Sequence, residues 1–256
     1  MSSGGGGVGS YRRSHVGGMR SILAWARRRP AGTVVYTGST SVYPQGGGVV
    51  VEETASTEGA GETARVLLEA EALLREGGNT RPARPGKTAD SGLGHPGQVA
   101  DRPGTGETDG PAIRPCHRWF ILRLAGIYGP GRHRLLDQVR AGEVGGRAQD
   151  HLNLVHRDDI CAAIWAAFAA PAEKRDEVFN VADDAAATRE EIAGWLASRL
   201  GVPPPRLSAA PAAGRRALTP DRIIGNARLK RVLGWRPAFP SFREGYAAIL
   251  GGQERD

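Results

Sequence analysis

The chain has 256 residues, 40% of them hydrophobic and 24% charged, with a formal net charge of +7. No apolar run nears the roughly 18 residues that span a bilayer. Two cysteines, Cys116 and Cys161, are too few for a disulfide framework or a four-cysteine zinc site. These numbers exclude a membrane-embedded or disulfide-stapled protein and leave one large domain or two small ones.

The charge is local. Residues 1–51 hold six arginines and no acid before Glu52, so the other 205 residues are nearly neutral. A basic, serine-containing, acid-free start has the composition of an organelle transit peptide, but the core periodicity of the segment favours a cationic helix face opening a domain. No apolar segment of secretory type follows the start. The expected location is therefore the cytoplasm, or an organelle such as the plastid if the N-terminus is a targeting segment.

Residues 1–10, MSSGGGGVGS, read as a disordered tail. Gly4, Gly6 and Gly9 spell G-x-G-x-x-G, but no strand precedes them and the motif carries no weight without one. Residues 14–28 read as an amphipathic helix, with Val16, Met19, Ile22, Leu23 and Ala26 at three- and four-residue steps. Pro30 and Gly32 end it. A short β-branched strand over 33–37 leads into the polar loop Gly38-Ser39-Thr40-Ser41. Residues 61–76 form a second helix.

Residues 77–117 contain nine Gly and six Pro and have no periodicity, which reads as a disordered insertion. Gly86-Lys87-Thr88 inside it is not a phosphate loop, because Arg81 stands where the first glycine is needed. Order resumes with WFILRLAG, an apolar run fit for a strand buried on both faces. A turn, IYGPGR, and a helix over 133–141 follow.

Residues 158–170 form an apolar helix whose Asp158 and Asp159 are expected to cap its start. Trp165 and Phe168 on it, and Trp195, Leu196 and Leu200 further on, are expected in the core, and Cys161 is read as a core thiol. EVFNVAD is another strand. Thr188 and Glu191 form a capping box for a helix that closes on Gly201. Two short helices, broken at Pro237 and Pro240, end the chain. Strands alternating with helices predict an α/β fold with a parallel sheet. The histidines and cysteines match no metal spacing, and no nucleic-acid module accompanies the arginine cluster 27–29.

The ordered segments YTGSTSVY, LRLAGIYGPGR, LVHRDDICAAIWAA, FNVADDAAATREEI and NARLKRVLGWRPAFPSFREGY resemble the NAD-dependent epimerase/dehydratase family, the extended short-chain dehydrogenase/reductases. The likeness covers 14–76 and 119–250. It implies a partial Rossmann-like, doubly wound parallel sheet with a small C-terminal lobe over about 150–256. It begins at the helix before the family's fifth strand, so the chain reads as a truncated member without the glycine fingerprint.

The resemblance makes Ser39 the catalytic serine and puts Thr37, Gly38, Arg123 and Gly126 beside NAD or NADP. Ser41, Tyr43, Tyr128, Gly129 and Arg132 border a small-molecule substrate of nucleotide-sugar-like kind. The family's paired tyrosine and lysine fall on Gly61 and Arg65. Three readings follow: an NAD(P)-linked oxidoreductase or epimerase with atypical acid/base groups, a non-catalytic ligand-binding or regulatory protein, and a truncated product that does not fold alone. A sheet edge left open predicts association with a second copy or another chain.

Overall fold

A computed structural model describes residues 7–79, 115–209 and 220–253. The first helical stretch begins at α1 (Val8–Tyr11), passes through a wide π turn (Arg12–Gly17) and continues as α2 (Gly18–Arg28). It thus starts inside the stretch read as a tail. It stops because Arg29 precedes Pro30 and is driven to extended geometry.

β1 (Ala31–Ser39) follows, then β2 (Val49–Val51), α3 (Glu62–Asn79), β3 (Cys116–Leu124), β4 (Gly126–Tyr128) and α4 (Arg134–Arg140). The chain continues through β5 (Glu143–Gly145), β6 (His151–Leu152), β7 (Leu154–His156), α5 (Arg157–Ala169), β8 (Glu177–Val181) and β9 (Ala187–Thr188). It closes with α6 (Arg189–Leu200), β10 (Arg206–Ser208), β11 (Arg222–Ile224), α7 (Ala227–Leu233) and α8 (Phe242–Gln253). The Gly/Pro-rich insertion was expected over 77–117. Helix α3 runs on to Asn79 and β3 starts at Cys116; residues 80–114, like Gly4 and Gly6, lie outside the described residues.

The centre is a Rossmann-like parallel sheet, ordered β1-β3-β8 among the described residues. Its middle strand alternates between two cores. Trp119 and Ile121 pack with Met19 and Leu23 of α2 and with Val66, Ala70 and Leu74 of α3. Phe120, Leu122 and Leu124 face the other way, toward Ala163 and Ala167 of α5 and Leu229 of α7. Helices α3 and α5 therefore cover opposite faces. Both crossovers step the same way along the sheet, so they have opposite hands, and one departs from the usual right-handed rule.

A third cluster joins Tyr128, Leu136, Val144, Ile192, Leu196, Phe242 and Tyr246 under the C-terminal helices. The capping box is formed as expected: Thr188 accepts from the Glu191 amide and Glu191 from that of Thr188, while Gly201 closes α6 in the left-handed region.

Helix α5 corrects three expectations. Its side chains are apolar nearly all round, so composition could not say which face meets the sheet. Small residues do, and Trp165 (71% exposed), Phe168 (44%) and Cys161 point outward. Its N-cap is His156, whose ring accepts from the Asp158 amide, and not an aspartate. Asp159 instead reaches across to accept from the backbone of Ala238 and Phe239. Trp195 and Leu200 are half-buried and Leu196 is fully buried, as a core helix face requires. Among the described residues no helix is long and apolar enough to cross a membrane.

Candidate functional site

Parallel pairing brings Ser39, Leu124 and Val181 into register at the carboxyl ends of β1, β3 and β8. Open α/β sheets bind ligands outside this edge, because the loops diverge there. After β1 the chain tightens into one 3-10 turn, Thr40–Val42. The Ser39 hydroxyl accepts from the Ser41 amide at 3.1 Å, a local turn bond. Buried Thr40 donates to the Leu124 carbonyl at 3.3 Å and ties this turn to the next strand end. Ser41 is exposed and Thr37 and Gly38 are half-buried.

Beneath the turn lies a buried polar chain. Arg123 grips Glu71 with two bonds, Nε to Oε1 at 2.9 Å and Nη2 to Oε2 at 2.6 Å. Its Nη1 donates to the Tyr43 hydroxyl at 2.8 Å, and that hydroxyl donates to Asn180 Oδ1 at 2.8 Å. Asn180 donates its side-chain amide to the Val51 carbonyl and its backbone N–H to Glu53. Burial alone would lower the Arg123 pKa; the Glu71 carboxylate and the Tyr43 oxygen more than reverse it. Burial raises the Tyr43 pKa, with Arg123 opposing. The phenol therefore stays protonated at neutral pH and is no substitute for a tyrosine activated by a neighbouring lysine.

The positions of the family's acid/base pair are elsewhere. Gly61 is exposed with open space around it, and Arg65 is exposed with Nη1 donating to the Ala60 carbonyl at 3.4 Å. Gly38 is packed against its own network, since a Cβ there would meet the Tyr36 ring at 3.3 Å and Glu71 Oε1 at 3.6 Å. A Cβ on Gly126 would lie 2.9 Å from the Asn153 carbonyl, to which the Gly126 amide donates. Gly126 is required by this close backbone approach, whereas Gly38 is only tightly packed.

Tyr128 is buried, stacked on Tyr246, with its hydroxyl reaching the Ser241 carbonyl at 3.4 Å. Gly129 and Arg132 bond each other's backbones, and the Arg132 side chain is exposed and donates to Ile127 O. The structure thus gathers Ser39, Ser41, Tyr43 and Arg123 at the sheet edge. Tyr128 sits in the separate C-terminal cluster.

Four residues escaped the sequence reading. Glu71 had a signal: Leu67, Ala70, Glu71 and Leu74 share one helix stripe, so an acid stood where core was due. Asn180 closes the polar chain from β8. Arg222, on β11, is 3% exposed and donates Nη2 to the Thr40 carbonyl at 3.0 Å. Asp183 follows β8 and lines a cavity of about 300 Å³ with Asn153, Asp184, Ile224, Asn226 and Lys230. Its Oδ2 is buried without a hydrogen-bond partner, and burial pushes its pKa up to about 8. Among the described residues no cluster of His, Cys, Asp or Glu is placed to hold a metal.

A dinucleotide needs a glycine-rich turn between a strand and a helix N-terminus to seat its pyrophosphate. The described residues contain no such cradle; Gly9 lies inside α1.

No family model matches the chain. It is 28% identical to protein YeeZ of Escherichia coli strain K12 over 217 residues, which is 85% of this chain and 61% of YeeZ. The chain thus spans about three fifths of that relative's length. A putative NAD-dependent epimerase/dehydratase from Methylobacillus flagellatus superposes with a TM-score of 0.63 at 25% identity, over 96% of this chain and 74% of that one. DesIV, a dTDP-glucose 4,6-dehydratase from Streptomyces venezuelae solved with NAD and TYD bound, superposes with a TM-score of 0.68 at 19% identity, over 98% and 68%. The class these likenesses define is a Rossmann-like fold. The chain is thus similar in sequence to YeeZ and in fold to proteins described as NAD-dependent epimerases and dehydratases.

Proposed function

We propose that this chain serves an NAD(P)-linked oxidoreduction or epimerisation at a hydroxyl-bearing carbon of a nucleotide-sugar-like substrate. The observation that supports this is the convergence of the Ser39, Leu124 and Val181 ends of three parallel strands on one edge. In this reading the dinucleotide supplies the hydride acceptor. Ser39, at the mouth of the turn, orients the reacting oxygen. Arg123 and Asn180 hold the Tyr43 phenol fixed below, so the turn cannot collapse inward.

A second reading, ligand binding without chemistry, is favoured by Gly61 and Arg65, which supply neither the phenol nor the ammonium of the family's acid/base pair. One experiment separates the two: thermal unfolding with NAD(H), NADP(H) and a panel of sugar nucleotides, followed by turnover read from nicotinamide absorbance. A ligand-induced rise in Tm with turnover supports the enzyme, and a rise without turnover supports the binder. A cooperative transition that no ligand of the panel shifts would overturn both.

A further inference from the structure

No residue in the wall of the cavity at Asp183 belongs to the Ser39 turn or to the polar chain of Arg123. Two consecutive acids, Asp183 and Asp184, stand in that wall, and their situations differ. Asp184 Oδ1 is met by the Lys230 ammonium at 2.5 Å and by the Asn226 side-chain amide at 2.8 Å. Asp183 is 6% exposed, and its Oδ2 is shut from solvent without a hydrogen-bond partner. Leaving a buried polar atom unpaired is costly and rare, so an orphaned carboxylate oxygen in a cavity wall marks a place for a donor.

The surrounding groups set the charge of that donor. Asp184, Asp159 and Glu244 all act on Asp183 with the same sign, against one favourable backbone N–H from Ala185. Asp159 is spent on the amides of Ala238 and Phe239, and Glu244 on Ser241. Tyr128, the other titratable group facing it, is a phenol that burial keeps protonated. Lys230 is committed to Asp184, and among the described residues no cation pairs with Asp183. The local excess is therefore negative, and it calls for a cation.

The wall also decides which cation. A divalent metal asks for about six oxygen ligands, and among the described residues no group of His, Cys, Asp or Glu is placed to hold one. Ala186, Ile223, Ile224 and Ala227 give the cavity an apolar side. Its volume of about 300 Å³ is room for several molecules the size of water, at about 30 Å³ each. We propose that this cavity binds a small organic cation, a protonated primary amine on a short alkyl stem, with its ammonium on Asp183. The contact repeats, one residue earlier, the one that Lys230 makes with Asp184. Because Oδ2 has no bond to surrender, the carboxyl turns toward the cavity without breaking a hydrogen bond at that oxygen. The cation replaces the proton on a carboxyl that burial pushes up to about 8. Binding therefore tightens from pH 6 to pH 9, a range in which a primary amine keeps its own proton. The site stands whether or not the chain binds a dinucleotide.

The test is thermal unfolding of the full chain at pH 9 in ethylammonium, potassium, tetramethylammonium or sodium chloride at equal ionic strength. Each Tm is read relative to sodium. Ethylammonium is expected to stabilise wild type more than Asp183→Asn, which keeps the shape and gives up the charge. Titrating the ethylammonium should show its affinity weakened about thirtyfold or more in the variant. Potassium and tetramethylammonium carry charge without N–H donors and should treat the two chains alike. If Asp183→Asn has no cooperative transition, wild type alone carries the comparison. Its ethylammonium affinity should then be about two orders of magnitude weaker at pH 6 than at pH 9. Equal ethylammonium shifts in both chains, or a wild-type affinity that is the same at pH 6 and pH 9, overturn the proposal. So does a potassium effect that matches ethylammonium in wild type and vanishes in the variant, because it assigns the site to an inorganic ion.

Discussion

Two arginines at the carboxyl edge are each 3% exposed and behave oppositely. Arg123, at the end of β3, is held by a bidentate carboxylate and a phenol, and its pKa rises. Arg222, on β11, has one carbonyl, and its pKa falls. Burial is the same, so the difference lies entirely in what the fold has placed opposite the charge. Arg123 is a completed structural pair that locks α3 to the sheet, and Arg222 is a buried charge that the described fold leaves unpaired. The direct way to break the contrast is to turn the first into the second. Glu71→Gln keeps the shape and leaves Arg123 buried without its anion. The expected loss is about 3–5 kcal/mol of unfolding free energy, measured by urea denaturation. A loss below about 1 kcal/mol would mean that the pair is not what holds this edge.

Asp183 extends the comparison to an acid. It too is buried without an opposite charge beside it, and its carboxyl is pushed up to about 8 by burial, with Asp184, Asp159 and Glu244 adding repulsion. The folded value lies above the unfolded one. The stability it contributes is therefore fully present below about pH 4 and is lost as pH rises through about 8. Across that window one proton is at stake, about 1.4 kcal/mol per pH unit. Asp183→Asn should remove this slope, so the variant gains on wild type from pH 5 to pH 9. Urea unfolding at three pH values reads the difference. Parallel curves would show that Asp183 has found a cation.

These contrasts explain what the sequence disclosed. The strands were legible because TVVY, WFILRL and EVFNV are β-branched or apolar runs bounded by turn residues. The helix over Arg189–Leu200 was legible because its caps are local, three residues apart. The polar loop Gly38-Ser39-Thr40-Ser41 was legible because a tight turn after a strand is itself local. Partnerships were not. Arg123 meets Glu71 across 52 positions and Asn180 meets Tyr43 across 137, so sequence alone could rate Arg123 equally as a ligand contact or a salt bridge. Arg222 gave no signal, because an arginine without a partner looks in sequence like any other. Helix α5 failed differently: with apolar residues on every face, nothing in its pattern could tell Ala163 and Ala167 inside from Trp165 and Phe168 outside.

Replacing Arg222 by an apolar side chain of similar length sharpens the comparison from the other end. Arg222→Met removes a charge that the described fold does not compensate. Its unfolding free energy should be unchanged or higher by about 1 kcal/mol, whereas removing one half of the Arg123 pair is strongly destabilising. Chemical denaturation in chloride buffer checks this. A loss of 3 kcal/mol or more would show that the Thr40 carbonyl bond alone makes Arg222 structural.

The smallest effect belongs to the outward face of α5, which serves as the exposed control for both arginines. Trp165 and Phe168 touch each other edge-on at 6.3 Å between ring centroids and otherwise face solvent. In an isolated chain, Trp165→Ser with Phe168→Ser should move stability by no more than about 1 kcal/mol, because Trp165 stays mostly in water and Phe168 is only about half covered on folding. That holds only if the face is free in solution. Thermal unfolding across a hundredfold range of protein concentration decides it. A Tm that climbs with concentration in wild type, and stops climbing in the double variant, would show this apolar face to be covered by a second copy. A flat profile in both leaves the two rings as exposed surface, and the energetic argument at this edge then rests on the buried charges alone.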